Sequence, residues 1–154
     1  MYKRLQSDTL TLADNVLLAV ASFTAQLFPE CKTDIGNRTS GVNPPEIGVN
    51  IYQQSNRKML ADTNVYTFGI EITYIPKDTN DRAEISAAIF LILQNLETVG
   101  SFRCRDKTSD ITDGLGHVTT NISVMEYDKP TDADGVIIQK ADQIIQRAET
   151  EVHT

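Results

Sequence analysis

The sequence is poor in the residues that build catalytic and metal centres. It holds two cysteines, Cys31 and Cys104, with no CxxC, and two histidines, His117 and His153. Local Cys and His spacing therefore supplies no four-ligand zinc site. The count leaves a Cys31–Cys104 bridge open, although two cysteines in 154 residues read more naturally as buried thiols. Basic residues are outnumbered 14 to 21, giving a net charge of -7 and a pI near 4.7. That argues against a protein whose task is gripping phosphate backbones, which needs Lys and Arg in excess. No apolar run nears the roughly 18 residues of a membrane span. Val16–Ala21 follows Lys3 and Arg4 in the manner of a secretory signal, but it is short and its approach carries Asp8 and Asp14. The expectation is a soluble chain of a reducing cytoplasm. Gly (8) and Pro (5) are too few for a linker-rich or disordered chain.

What is present is an ordinary globular composition, 40% hydrophobic and 23% charged, and enough chain for one domain. Leu12, Val16, Ala19/Val20, Phe23 and Leu27 fall at helical spacing, which predicts a helix over about 8–28 with Thr11 and Asp14 as a capping box. Residues 34–46 are rich in Gly, Pro, Asn and Ser and read as a loop. Ile47, Val49 and Ile51 alternate as a strand, and 53–64, polar and carrying Arg57 and Lys58, reads as a hairpin tip. Tyr66, Phe68, Ile70, Ile72 and Tyr74 form the clearest strand, five residues at period 2 that must face a core. A second helix is expected over 81–98, capped by Asp81 and Glu84 and closed by Gly100; its centre, Ala87–Leu93, is apolar nearly all round and so needs cover on more than one side.

Phe102 and Cys104 make a short strand. Asp113-Gly114 between Thr108–Thr112 and Leu115–Tyr127 signals a two-residue hairpin. After a linker at 128–135, Ile137, Ile138, Ala141, Ile144, Ile145 and Ala148 outline a third amphipathic helix, in a tail with three basic and six acidic residues. The expected fold class is α+β, an antiparallel sheet with helices packed on one face, in the order α-β-β-α-β-β-α. Residues 1–127 would form the domain, and 128–154 an acidic linker and an extra C-terminal helix.

Chemistry is scarce. GxGxxG, P-loop, HExxH and GxSxG motifs are all missing, and Gly114-Leu115-Gly116 lies in a hairpin rather than before a helix. Ser/His/Asp catalysis would fall to His117, which reads as a strand histidine. Asp78, Asp81, Asp106, Asp110 and Asp113 sit at element ends, where Asp caps and turns. Cys104 lies between Arg103 and Arg105, but strand alternation sends the arginines to the other face. Arg103, Arg105 and Lys107 should share that face, with Arg57-Lys58 a second basic spot; both suit solvated charge or a contact with an acidic partner. Basic spots in one place and acidic ones in another suit head-to-tail association.

Three stretches carry a resemblance. They are the aromatic strand Tyr66–Pro76 ending Tyr-Ile-Pro; the helix with Ala83 and Ala87-Ala88 that runs into Leu96-Glu97-Thr98-Val99-Gly100; and the hairpin Asp110-Ile111-Thr112-Asp113-Gly114-Leu115-Gly116-His117-Val118. Together, from about Ile47 to Val124, they resemble the small phage tail terminator proteins of tailed phages and prophages of Gram-positive bacteria. Gly116 and Thr119-Thr120 depart from that family by replacing bulkier apolar residues, and the third helix looks like an addition.

The resemblance implies a structural virion protein rather than an enzyme, with no cofactor and no metal. Such a protein forms a homo-hexameric ring on the head-proximal end of the tail tube, stops its polymerisation and joins the tail to the head connector. Its implied partners are its own copies, the tube protein, and the sheath and connector proteins; the genome passes through without specific binding and no membrane is involved. It would be assembled in the bacterial cytoplasm and reside in the tail or neck of the virion. Arg57, Lys58, Arg103, Arg105, Ile137 and Ile144 are the candidate subunit or tube contacts. The competing reading is a small α+β ligand-binding or regulatory domain, which needs a pocket with convergent polar groups.

Overall fold

Thirteen-residue strands dominate the molecule. The computed structural model describes residues 10–36 and 41–127. They form α1 (Leu12–Leu27), β1 (Lys32–Ile35), β2 (Glu46–Lys58), β3 (Thr63–Ile75), α2 (Arg82–Asn95), β4 (Thr98–Val99), β5 (Phe102–Thr112) and β6 (Leu115–Tyr127). The class is α+β: one curled six-stranded sheet, ordered β1-β2-β3-β6-β5-β4, with two helices. The sheet is mixed rather than wholly antiparallel, because β1 runs parallel to β2, pairing Lys32 with Glu46 and Ile35 with Val49. The expected third helix and the 128–154 segment lie outside the described residues.

The period-2 pattern of β3 sets the two faces. Phe68, Ile70, Ile72 and Tyr74 are buried on one side, and across the ladder Ile51, Val49 and Ile47 of β2 and Ile122, Thr120 and Val118 of β6 share it. Val16, Val20 and Ala21 of α1 and Ala88, Ile89 and Ile92 of α2 join the same cluster, so both helices cover this one face. Thr11 caps α1 as the sequence indicates. Its hydroxyl accepts from the Asp14 amide at 3.2 Å, and the Asp14 carboxylate accepts from the Thr11 amide at 2.8 Å. Glu46 is fully buried at the start of β2, with the Lys32 ammonium 3.7 Å away and the Asn43 amide donating to it at 3.4 Å. A buried carboxylate so placed ties β1 and the preceding loop to the sheet. Tyr74 donates to Glu84 at 2.8 Å; burial first, then that bond, push its phenol up from the usual range.

Several boundaries differ from expectation for identifiable reasons. The segment expected to be a loop from 34 opens with the end of β1, whose four residues are too few to show a period. The polar run 53–58 is strand, not hairpin tip; only Met59–Asp62 turns, with Ala61 and Asp62 at φ 60° and 53°. The alternation ends at Tyr52 because a bulge between Ile51 and Gln53 breaks the register there. Opposite it, Gly69 leaves room for the Tyr52 ring: a Cβ at Gly69 would lie 2.7 Å from it. The second helix stops at Asn95, with the Leu96 amide closing on the Ile92 carbonyl at 2.9 Å, so Gly100 (φ 59°) turns β4 into β5 instead of ending the helix. Phe102–Thr112 is one strand, bent by a bulge between Arg105 and Thr108 where Asp106 adopts φ 54°. Asp113 and Gly114, both at positive φ, make the expected tight turn.

The departure at Gly116 has a packing reason. A Cβ there would lie 2.6 Å from Ile89 Cγ2 and 2.9 Å from Ile85 Cγ2, so the missing side chain lets α2 sit directly on β6. Gly116→Ala should overpack this contact and cost about 1–3 kcal/mol in urea denaturation. An unchanged midpoint would show that α2 seats without that close approach.

Candidate interaction surface

The strands outrun the helices that cover them. At about 3.3 Å per residue a 13-residue strand is roughly 43 Å long, whereas helices of 16 and 14 residues span about 24 and 21 Å. The ends of β2, β3 and β6 therefore project as a three-stranded arm. Residues 52–62 are all exposed, on both faces of the arm. At its tip Leu60 is 92% exposed, and Tyr127 and Met125 are 73% and 60% exposed beside Thr63 and Val65. Arg57 lies over the turn, its guanidinium 3.2 Å from the Met59 sulfur.

The sheet face away from the helices carries short polar side chains. Thr67 and Ser123 share a hydrogen bond at 3.0 Å, and Thr108 and Thr119 one at 2.7 Å. Such cross-strand pairs hold register without a hydrophobic cover. Two strand edges are open. β1 pairs only Glu46–Val49 of β2, and β4 pairs only Phe102 and Arg103 of β5, so that among the described residues no strand pairs with the outer edge of β2 over Asn50–Arg57 or with most of the outer edge of β5. Each open edge carries a bulge and charged side chains, devices that deter indiscriminate pairing while leaving specific contacts possible.

The candidate residues separate. Arg57 and Lys58 are both at the arm tip but, as successive strand residues, point to opposite faces. Arg103 and Arg105 line an open cleft of about 520 Å³ with Glu97, Thr98, Cys104, Asp106 and Lys107. Arg57 pairs through Val65 to Met125, and Arg105 pairs with Asn121, so both lie on the bare face, on the order of 20 Å apart. Lys107 lines the same cleft but does not share the strand face of Arg103 and Arg105. The bulge turns it toward the helix side, where its ammonium donates to the Leu93 carbonyl at 3.4 Å. Ile137 and Ile144 lie outside the described residues.

The residues weighed for chemistry are occupied with structure. His117 is half-buried on the bare face, but Glu71 (3.7 Å) and the Thr73 hydroxyl (3.4 Å) both approach the same nitrogen, Nδ1. A nucleophile relay needs hydroxyl and carboxylate on opposite ring nitrogens. Asp81 caps α2 by accepting from the Glu84 amide at 3.1 Å; Asp78 accepts from the Asn80 amide at 2.9 Å; Asp110 accepts from Thr112 at 2.8 Å; Asp106 and Asp113 hold positive φ in bulge and turn. No group of three potential metal ligands occurs among the described residues. Cys31 and Cys104 are free and buried, and burial pushes both thiols up, away from thiolate reactivity. No helix among the described residues is long and apolar enough to cross a membrane.

Among the described residues, a bare polar face, an overhanging arm and two open edges offer contacts to other proteins, and the histidine, aspartates and cysteines weighed for chemistry are held in ladders, caps, turns and the core. The model of the phage tail terminator protein family matches residues 15–134, well over half of the 154, and the chain belongs to that family. It is accordingly a structural component of the phage tail, working in association with other tail or head proteins. A search of curated proteins finds no relative.

No local spacing in the sequence displays the arm or the bulges. The signal lies in two alternations, Ile47-Val49-Ile51 and Tyr66-Phe68-Ile70-Ile72-Tyr74, on either side of a mostly polar run: a polar strand paired to a strongly apolar one reads as a loop unless the register is counted back from the partner.

Thr120 holds the cleft's shape. Buried itself, it donates to the Arg105 carbonyl at 2.7 Å, where the bulge interrupts the ladder. Thr120→Val keeps the side-chain shape but removes the donor, and should cost about 1–3 kcal/mol. Thr120→Ser should retain most of the stability. Equal midpoints for the valine variant and the parent in chemical denaturation would contradict this role.

Proposed function

We propose that this chain is the tail terminator itself: a homo-hexameric ring that caps the head-proximal end of the tail tube, stops tube polymerisation and joins the tail to the head connector. The observation that carries the reading is the arm with the two unlike open edges, β2 on one side of the sheet and β5 on the other. Different patches on opposite sides of a subunit suit a heterologous, head-to-tail contact, which closes into a ring when the rotation between neighbours divides the circle evenly. Arg57 and Lys58 at the arm tip and Arg103 and Arg105 in the cleft are the proposed subunit or tube contacts. The tube protein is the first partner, with sheath and connector proteins further ones.

The net charge of -7 suits a channel wall that lets DNA slide, since it supplies no excess of cations to hold phosphates. The ring would be assembled in the host cytoplasm and retained in the neck of the virion. It does this work by contact alone, with no catalytic step.

Removal of the protein from the producing phage or prophage should leave tails of uncontrolled length, or tails that fail to join heads, when particles are examined by electron microscopy. Tails of normal length that join heads normally would overturn the proposal.

A further inference from the structure

α2 is apolar on two sides, and the fold uses only one. Ile85, Ala88, Ile89 and Ile92 face the sheet, while Ala83, Ala87, Phe90 and Leu91 form a second stripe along the exposed side. Phe90 is 64% exposed and Leu91 38%. Elsewhere in the chain, Ile137, Ile138, Ala141, Ile144, Ile145 and Ala148 repeat at helical spacing beyond residue 134, where the family match ends. A helix of about a dozen residues is marginal alone in water and needs a surface to bury such a stripe.

We infer that the 137–148 segment docks as a helix on the outer face of α2 of its own chain, with its isoleucines over Ala83, Ala87, Phe90 and Leu91. The two small alanines, one turn apart, admit a second helix at close range. The connection is long enough. α2 runs along β6 from Gly116, which sits under Ile85 and Ile89, to the level of the β5 bulge, where Lys107 meets the Leu93 carbonyl. The bulge lies opposite Thr119–Asn121. Tyr127 is seven residues beyond Thr120, roughly 24 Å at about 3.4 Å per residue. The nine residues 128–136 extend to about 30 Å. A tether of that length holds the segment at an effective concentration in the millimolar range, above that of a neighbouring copy in dilute solution. Ile137 and Ile144 then complete the subunit's own packing, and the outer face of α2 is removed from the surfaces that contact tube or neighbour. The inference does not depend on the ring.

The test is thiol labelling of the full chain. Ala87→Cys places a reactive thiol on the covered stripe, and Ser101→Cys, in the exposed β4–β5 turn, is the open reference. Both native thiols are buried, and their slow labelling reports that each variant is folded. Docking worth a factor of about ten should slow maleimide attack at position 87 about tenfold relative to position 101, equally at every protein concentration. Adding Ile137→Asp and Ile144→Asp should restore the fast rate, and the milder Ile144→Ala should move it part of the way. Fast labelling in the parent background, slow labelling that neither set of Ile variants relieves, or protection that grows with protein concentration would each overturn the inference; the last would assign the stripe to a second copy.

Discussion

The long pairing of β3 with both of its neighbours is the constraint on which the rest of the structure depends. β2 accompanies it from Glu46 to Lys58, and β6 from Gly116 to Tyr127. One face of this triple strand is apolar near Ile70, Ile72 and Tyr74, and there the helices collect. The other face carries mainly short polar and charged side chains; beyond Phe68, Tyr66 and Val124 still pack at the margin of the core, while Met125 and Tyr127 are exposed toward the tip. The arm is thus a continuation of the core's own strands past the ends of the helices. Backbone ladders on either side of β3, with Thr63 and Asn64 buried at its end, hold its shape, which suits a projection that must be formed before it meets a partner.

Two glycines show how closely the layers are fitted around that axis. Gly116 lets α2 lie against β6, and Gly69 receives the Tyr52 ring at the bulge of β2. The first fixes the helix layer on the sheet. The second braces the bare face where the arm begins, as an aromatic ring laid over a strand glycine does elsewhere. The two bulges, at Tyr52 and at Asp106–Lys107, then twist both open edges away from a flat pairing geometry.

Much of this was legible in the residues. Period 2 in Tyr66–Tyr74, the Thr11–Asp14 box and the Asp113-Gly114 turn each reflect a local rule strong enough to survive folding. The boundaries that composition misplaces fall where tertiary pairing overrides it. Residues 53–58 are strand only because β3 is beside them, and Gly100 looks like a helix terminator until Thr98–Val99 pairs back to Phe102–Arg103. Lys107 illustrates the limit of alternation: a single residue at φ 54° moved it from the arginine face to the helix side. The candidate contacts Arg57, Arg103 and Arg105 share the bare face, a relation that depends on register across four strands and that no local spacing displays.

The whole account turns on subunits meeting through unlike patches at the end of the tube. The most direct measurement is the number of chains bound per tail-tube end, from the mass of the protein alone and in complex with purified tubes. Six copies at each capped end, whether as a preformed ring of about 103 kDa (six chains of 17.1 kDa) or gathered on the tube, is the result expected for a closed heterologous ring. A single copy or a two-fold dimer at the tube end, or no binding to tubes at all, would contradict it.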